Sequence, residues 1–392
     1  MSIKFSTIEG RSRGYFLLRG FLILLSGVGG ASFMASYIEG HRLLGGSNLI
    51  PWGLLIVISI YLIGLSAGAL ILSTLTYVFG KEEYKPISRM AVYLSLVLIF
   101  GAMVAIGLDL GRPEKSVRLF MFFVLNNMRS MFAINGILYG GYFVISLFYL
   151  GFIFADRPKM TKKIGILAIA WASLVHMGTG AIFGLIAARP IFHSPIKPFE
   201  FLAAAIVSGL ALLLISIVFT FWFTGREVDK KSIFSLSQLL LTFIVILLVI
   251  VLVDKIIHLY SPEREPTFWL LTGPFAWVFW GLQVGCAYLS PIFILTHPNY
   301  RKSISWIVIA SFFILIGIFG ERFVLVIPGT AHPFPLFPGR IEGIWGETGI
   351  FYFTLAESLL ALGLLGFMGF FYILGLKHLE LLPVVEGAKP KK

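Results

Sequence analysis

The chain reads as an all-α integral membrane protein of about ten transmembrane helices, and three observations predict this. Hydrophobic residues fill 58% of its 392 positions and charged residues only 13%, about half the share in a soluble globular protein. Mean hydropathy is +0.93. The apolar residues fall in runs of about 20 or more, the length that crosses a hydrocarbon layer of roughly 30 Å, and short connections separate them. One membrane domain over 1–392 is expected.

The spans are predicted near 14–38, 52–79, 87–109, 131–155, 164–188, 199–223, 233–257, 267–296, 303–323 and 349–377. The first is expected to be a retained span: Arg19 interrupts its apolar run, as no cleaved leader would, and can snorkel to the cytoplasmic surface. The second follows Pro51-Trp-Gly-Leu54 and carries Ser66-Ala-Gly68, small residues that let helices approach closely. The third is apolar from Met90 to Leu108 and closes in Asp109-Leu-Gly-Arg-Pro113. Pro113 pushes Arg112 off helical geometry and, with Gly111, ends the helix. Asp109 thus meets the edge of the hydrocarbon, where a carboxylate must be paired or reach water, and Arg112 is the nearest partner. The pair is either a structural cap, the polar wall of a ligand site, or both.

The segment Ser116-Val-Arg-Leu-Phe-Met-Phe-Phe-Val124 is suited to lie flat in the interface. Arg129-Ser130-Met131 opens the fourth span, and the fifth holds His176 near mid-bilayer. Ser208-Gly209 in the sixth span echoes Ser66-Ala-Gly68, and Asp254, ending the seventh, echoes Asp109 four spans earlier. This echo suggests two four-helix bundles in the same orientation, 52–188 and 199–323, flanked by the helices at 14–38 and 349–377. Glu321-Arg322 closes the ninth span, and Glu357 is expected about two turns into the tenth.

The tails and the loops on their side hold 19 Lys and Arg residues, the opposite loops 11, with Arg19 inside the first span. The positive-inside rule then puts both termini in the cytoplasm of a multi-pass cell-membrane protein. The loop from 110 to 130, with Arg112, Lys115, Arg118 and Arg129, is the main exception. Cytoplasmic connections are short and basic. The outer ones are longer and rich in aromatics, Pro and Gly, above all 322–349, which marks the outer side as the functional one. Trp52, Trp269, Trp277 and Trp345 fall near span ends, as in an interfacial belt. The net charge of +12 follows from this flanking pattern and needs no nucleic acid to explain it.

Cys286 is the single cysteine, too few for an intrachain disulfide or an iron–sulfur cluster. There is no Cys-x-x-Cys-His for c-type haem and no Gly-x-Gly-x-x-Gly for flavin or nicotinamide. Only His176 of seven histidines lies mid-span, whereas a bis-histidine b-type haem takes two. No haem, iron–sulfur cluster, flavin or metal is therefore expected in this chain.

Pro51-Trp-Gly-Leu54 leading into Tyr61-Leu-Ile-Gly-Leu-Ser-Ala-Gly-Ala69, then Asp109 to Pro113, then Arg129-Ser130-Met131, resemble in order and spacing the membrane subunit of polysulfide reductase, the NrfD-like family. Length, ten spans, Arg322-Phe323, the Pro-rich outer loop and Glu357 are similar to its longer branch, the membrane subunits of periplasmic hydrogenases and of sulfite-reductase-associated electron-transfer complexes. The resemblance implies a haem-free subunit that docks a ferredoxin-like iron–sulfur protein on the outer face, joins further redox subunits, and exchanges electrons with menaquinone from the lipid. Donor, acceptor and direction would belong to those partners. In the family an Asn and a His precede the first core span; Asn48 matches the Asn, but Pro51 occupies the His position.

Quinol oxidation releases two protons, so the site needs an acceptor within hydrogen-bond reach of a ring hydroxyl. The catalytic candidates are His176, Glu357 and Asp109, and the quinone-binding candidates are Asn48, Trp52, Arg112, Ser130, Asp254 and His258. Each has a plainer reading. His176 either serves the carrier or bonds a neighbouring helix carbonyl. Glu357 either relays protons or pairs with Arg322 or another basic group to hold the bundles together. Asp254-Lys255 with His258, and Glu321-Arg322, suit structural ion pairs or partner contacts near the outer interface. Two rival functions stand beside the quinone reading: a secondary transporter, disfavoured because the Pro and Gly breaks lie mostly in outer loops, and a passive membrane anchor for a redox complex.

Overall fold

The computed structural model describes residues 3–227, 229–262, 264–332 and 348–384. Trp345 and the Pro-rich part of the outer loop lie outside the described residues. The helices are α1 (Arg13–Glu39), α2 (Leu54–Tyr77), α3 (Lys85–Asp109), the one-turn α4 (Ser116–Leu119), α5 (Met131–Phe154), α6 (Pro158–Gly184), α7 (Lys197–Thr224), α8 (Lys230–Tyr260), α9 (Glu265–Thr272), α10 (Ser290–Thr296), α11 (Ile304–Ala331) and α12 (Leu355–His378). A π-helical stretch, Val278–Leu289, continues directly into α10. Ten of the helical segments described are long and apolar enough to cross a membrane.

Two boundaries differ most from the sequence reading. The eighth span is Val278–Thr296, because Gly273 ends α9 and separates it from the crossing stretch. The ninth continues to Ala331, with Pro328 inside the helix, so Glu321 and Arg322 lie within it, 3% and 1% exposed, and not at its outer end.

Burial follows position. In α2, 83% of the apolar window lies inside the protein, against 17% for α1. α2 packs on α3, α6, α7 and α11, whereas α1 packs mainly on α12. Glycine sets the closest crossings. A Cβ on Gly68 would stand 2.6 Å from the Cα of Gly209, so the two echoed small-residue sites meet face to face where α2 crosses α7. Gly29 and Gly363 do the same for α1 and α12. At the opposite end from the candidate site, β1 (Phe5–Ser6) pairs antiparallel with β2 (Leu382–Pro383), and Arg226 donates to Pro383 and Ser6. The first and last described segments are therefore held together at one end of the helices.

Candidate functional site

Hydrogen bonds tie the start of α12 to the start of α2, the end of α8 to the start of α7, and the loop after α6 to the end of α11. These termini share one end of the protein, and two groups of polar residues lie among them.

The first group forms where the 40–53 connection meets α3 and α12. Thr354 caps α12, its hydroxyl accepting from the Glu357 amide at 3.2 Å. Because α12 starts only at Leu355, Glu357 sits in its first turn and not two turns deep. Its carboxylate, 1% exposed, accepts from the amides of Leu54 at 2.5 Å and Gly45 at 3.2 Å. The Leu54 amide is an otherwise unpaired donor at the head of α2, where the helix dipole also favours a negative charge, and the Gly45 amide belongs to the connection before it. Arg322, the partner foreseen for Glu357, is engaged elsewhere. A Cβ on Gly53 would stand 2.3 Å from a Glu357 carboxylate oxygen, so glycine is required for this approach.

Asp109, half-buried at the last residue of α3, accepts no hydrogen bond from the described residues. It lies within electrostatic reach of His41 and Glu357. Arg112 is not its partner. Gly111 turns the chain at φ +67°, Arg112 before Pro113 is off helical geometry at φ −132°, ψ 69°, and its guanidinium lies 3.8 Å from Glu114 and over the Tyr37 ring. The imidazole of His41 instead covers the end of α3, 2.8 Å from where a Gly111 Cβ would stand.

Asn48 is exposed, its side chain without a hydrogen bond among the described residues. Trp52 turns inward: its ring centroid lies 5.6 Å from those of Phe132 and Phe183 and 6.5 Å from that of Phe192. That places it in an aromatic cluster, in contrast to a lipid-facing belt. Ser130 precedes α5 in extended backbone, its amide donating to Asn127.

The second group is buried and charged. Asp254, fully buried, accepts from Ser194 at 2.6 Å, Lys255 at 3.0 Å and Lys197 at 3.2 Å. Lys197 also donates to Glu200 at 2.6 Å. His258 lies 3.6 Å from the Asp254 carboxylate, while its ring nitrogens face the carbonyls of Asp254 and His193. Deeper in α11, Arg322 lies 3.1 Å from Glu321, close enough for attraction but misaligned for a hydrogen bond, which leaves Glu321 Oε1 and Arg322 Nε and Nη1 without one. The guanidinium stacks 3.9 Å over Phe201. A cavity of about 20 Å³, bounded by Lys197, Glu200, Gln283, Glu321 and Arg322 among others, has room for about one water. Above it, Arg189 donates to the carbonyls of Thr330 and His332, and partial burial draws its pKa below the usual arginine value.

His176 stands apart from both groups. It is 1% exposed, with Nδ1 2.9 Å from the Ala172 carbonyl and Nε2 3.0 Å from that of Ile63 on α2. A neutral imidazole donates to one of these.

The structure thus brings Asp109 and Glu357 together, with Asn48 and Trp52 in the adjoining connection. It assigns Asp254 and His258 to a separate cluster. Sequence reasoning missed His41, Lys197, Glu200 and Gln283. The first sits in a loop with no pattern around it, and Lys197 and Glu200 look like an ordinary solvated helix start.

Comparison with known proteins agrees with this architecture. Residues 42–333 match the family model described as polysulphide reductase, NrfD. The protein is 36% identical over 392 residues to the Hdr-like menaquinol oxidoreductase integral membrane subunit of Archaeoglobus fulgidus, covering 98% of both sequences. It is 24% identical to the menaquinone reductase integral membrane subunit of Nitratidesulfovibrio vulgaris, over 83% of its own length and 84% of that subunit. It is also 24% identical to the C subunit of Wolinella succinogenes polysulfide reductase, over 72% of its own length and 95% of that subunit. Ten apolar helices and a family match over most of its length establish a multi-pass membrane protein that belongs to the NrfD polysulphide reductase family.

Proposed function

We propose that this protein is the quinone-reactive membrane subunit of a respiratory redox complex, exchanging electrons between menaquinone and an iron–sulfur partner docked at the helix ends that carry Asp109. Two similar proteins are named for menaquinol or menaquinone chemistry, which supports the carrier. One observation carries the site: Asp109 is a half-buried carboxylate with no donor among the described residues, at the edge of the apolar layer. A quinol hydroxyl is a donor that fits it. When bound, the carrier supplies two electrons and two protons.

The protein's own residues then divide the work. Asp109 accepts a hydroxyl proton, and His41, packed over the same helix end, is positioned to pass it toward water. Glu357 holds the 40–53 connection, which carries Asn48 and Trp52, against α12. His176 is assigned to the α2–α6 crossing, where its ring joins two backbones. Asp254 and His258 are assigned to structural support of the second group of helices, α7 to α11, as α2, α3, α5 and α6 make up the first. The distribution of basic residues supports an orientation with the paired ends on the cytoplasmic side of the cell membrane and Asp109 on the outer side.

The test is quinol turnover in the reconstituted complex with Asp109→Asn. Loss of turnover with the complex intact is expected. Undiminished turnover would reduce the protein to a passive anchor.

A further inference from the structure

Almost nothing among the described residues packs on the connection from α3 to α5. It runs through a 3₁₀ turn at Pro113–Lys115, α4, and a π-turn at Phe120–Val124. From 117 to 129 only Val124 is buried, resting at Gly136 of α5. Val117 is 73% exposed, Met121 51% and Phe122 75%. Apolar exposure on this scale marks a partner or a membrane.

Three features favour lipid. The segment joins the last residue of α3, Asp109, to the first of α5, Met131, so it is held at the edge of the layer those helices cross. Its apolar side chains continue the exposed faces of the same helices through Phe100, Met103, Leu110 and Phe132. Lys115, Arg118 and Arg129 are interleaved with them, all exposed and without an ion pair among the described residues. Aromatic and aliphatic residues set between cations suit a surface that is apolar below and anionic above.

We propose that residues 113–129 form a docking surface for anionic lipid, with Phe120, Phe122 and their neighbours in the acyl boundary and Lys115, Arg118 and Arg129 on headgroup phosphates. The proposal is independent of the quinone reading. It accounts for the one strongly basic connection opposite the termini, since these charges serve lipid binding and not topology.

The test places a nitroxide at Phe122→Cys, in a Cys286→Ser background, in the full-length protein reconstituted into nanodiscs of phosphatidylglycerol or of phosphatidylcholine. In phosphatidylglycerol the label is expected to collide more often with dissolved oxygen than with a water-soluble nickel chelate, and this excess should shrink in phosphatidylcholine. Charge reversal by Lys115→Glu with Arg118→Glu should shrink it in phosphatidylglycerol as well. Free access of the chelate in both lipids would overturn the proposal, as would shielding from both reagents, the signature of a covering protein. Equal depth in the two lipids would overturn the anionic preference.

Discussion

Asp109 and Asp254 hold matching places, each at or near the end of a helix four spans from the other, yet their surroundings are opposite. Asp254 is fully buried, with Ser194, Lys197 and Lys255 on its oxygens. Asp109 is half-buried and accepts nothing from the described residues. A carboxylate saturated by fixed donors is a poor proton acceptor for an incoming molecule and a costly one to remove, because its partners would be left as uncompensated buried charge. An unsaturated one is the reverse: it contributes little to the fold and is available to a ligand. An aspartate toward the end of a spanning helix is thus saturated or left open according to what the neighbouring helix starts present.

The contrast is most exposed at Asp109 itself. Asp109→Asn should lower quinol turnover by about 10² to 10⁴-fold, the usual contribution of a positioned base, with little change in the unfolding temperature. A variant whose unfolding temperature drops while its turnover at the working temperature is unchanged would reverse the two assignments. Asp254→Ala should do the converse, destabilising the protein by about 3–5 kcal/mol in detergent melts, since Lys197 and Lys255 lose a shared carboxylate.

Glu357→Gln tests the boundary between the two classes. Its carboxylate has backbone donors, so about 1–3 kcal/mol of stability should go, together with a raised quinol KM as the 40–53 connection loosens. A fall in kcat alone would return Glu357 to the proton path. Gly68→Ala probes the crossing of α2 and α7: the added methyl meets Gly209, and overpacking of about 1–3 kcal/mol should appear in melts of the intact complex.

A control far from both carboxylates should change least. Asp229 caps α8, accepting from the amides of Lys231 and Ser232, and the Ser232 hydroxyl and these amides hold its pKa below the usual carboxylate value. That stabilisation is present at neutral pH and is lost as pH falls through the lowered folded-state value. Asp229→Ala should cost about 1 kcal/mol and flatten the acid limb of the stability profile without touching turnover.

Much of the fold was legible because the bilayer imposes one length and one polarity on every crossing segment. Ten apolar runs became ten spans, and the family followed from the order of short motifs. Errors arose where helices end for reasons outside the hydrocarbon. α11 runs past its predicted end because Arg189 and the loop after α6 support its last turn. α12 begins late because Thr354 caps it there. Of the site, Asp109 and Glu357 could be singled out as charges in apolar sequence. Their partners could not, since His41, Gly45 and Leu54 carry no pattern and meet these carboxylates only through packing.

Hydropathy and motif order are local properties, so the residues in order were enough to establish a membrane-spanning all-α protein, its family and the ionisable groups worth testing. Which of those groups are saturated and which stand open was settled by packing in three dimensions. Hydrogen-bond satisfaction depends on what the neighbouring helices bring within about 3 Å, and no one-dimensional pattern carries that distance.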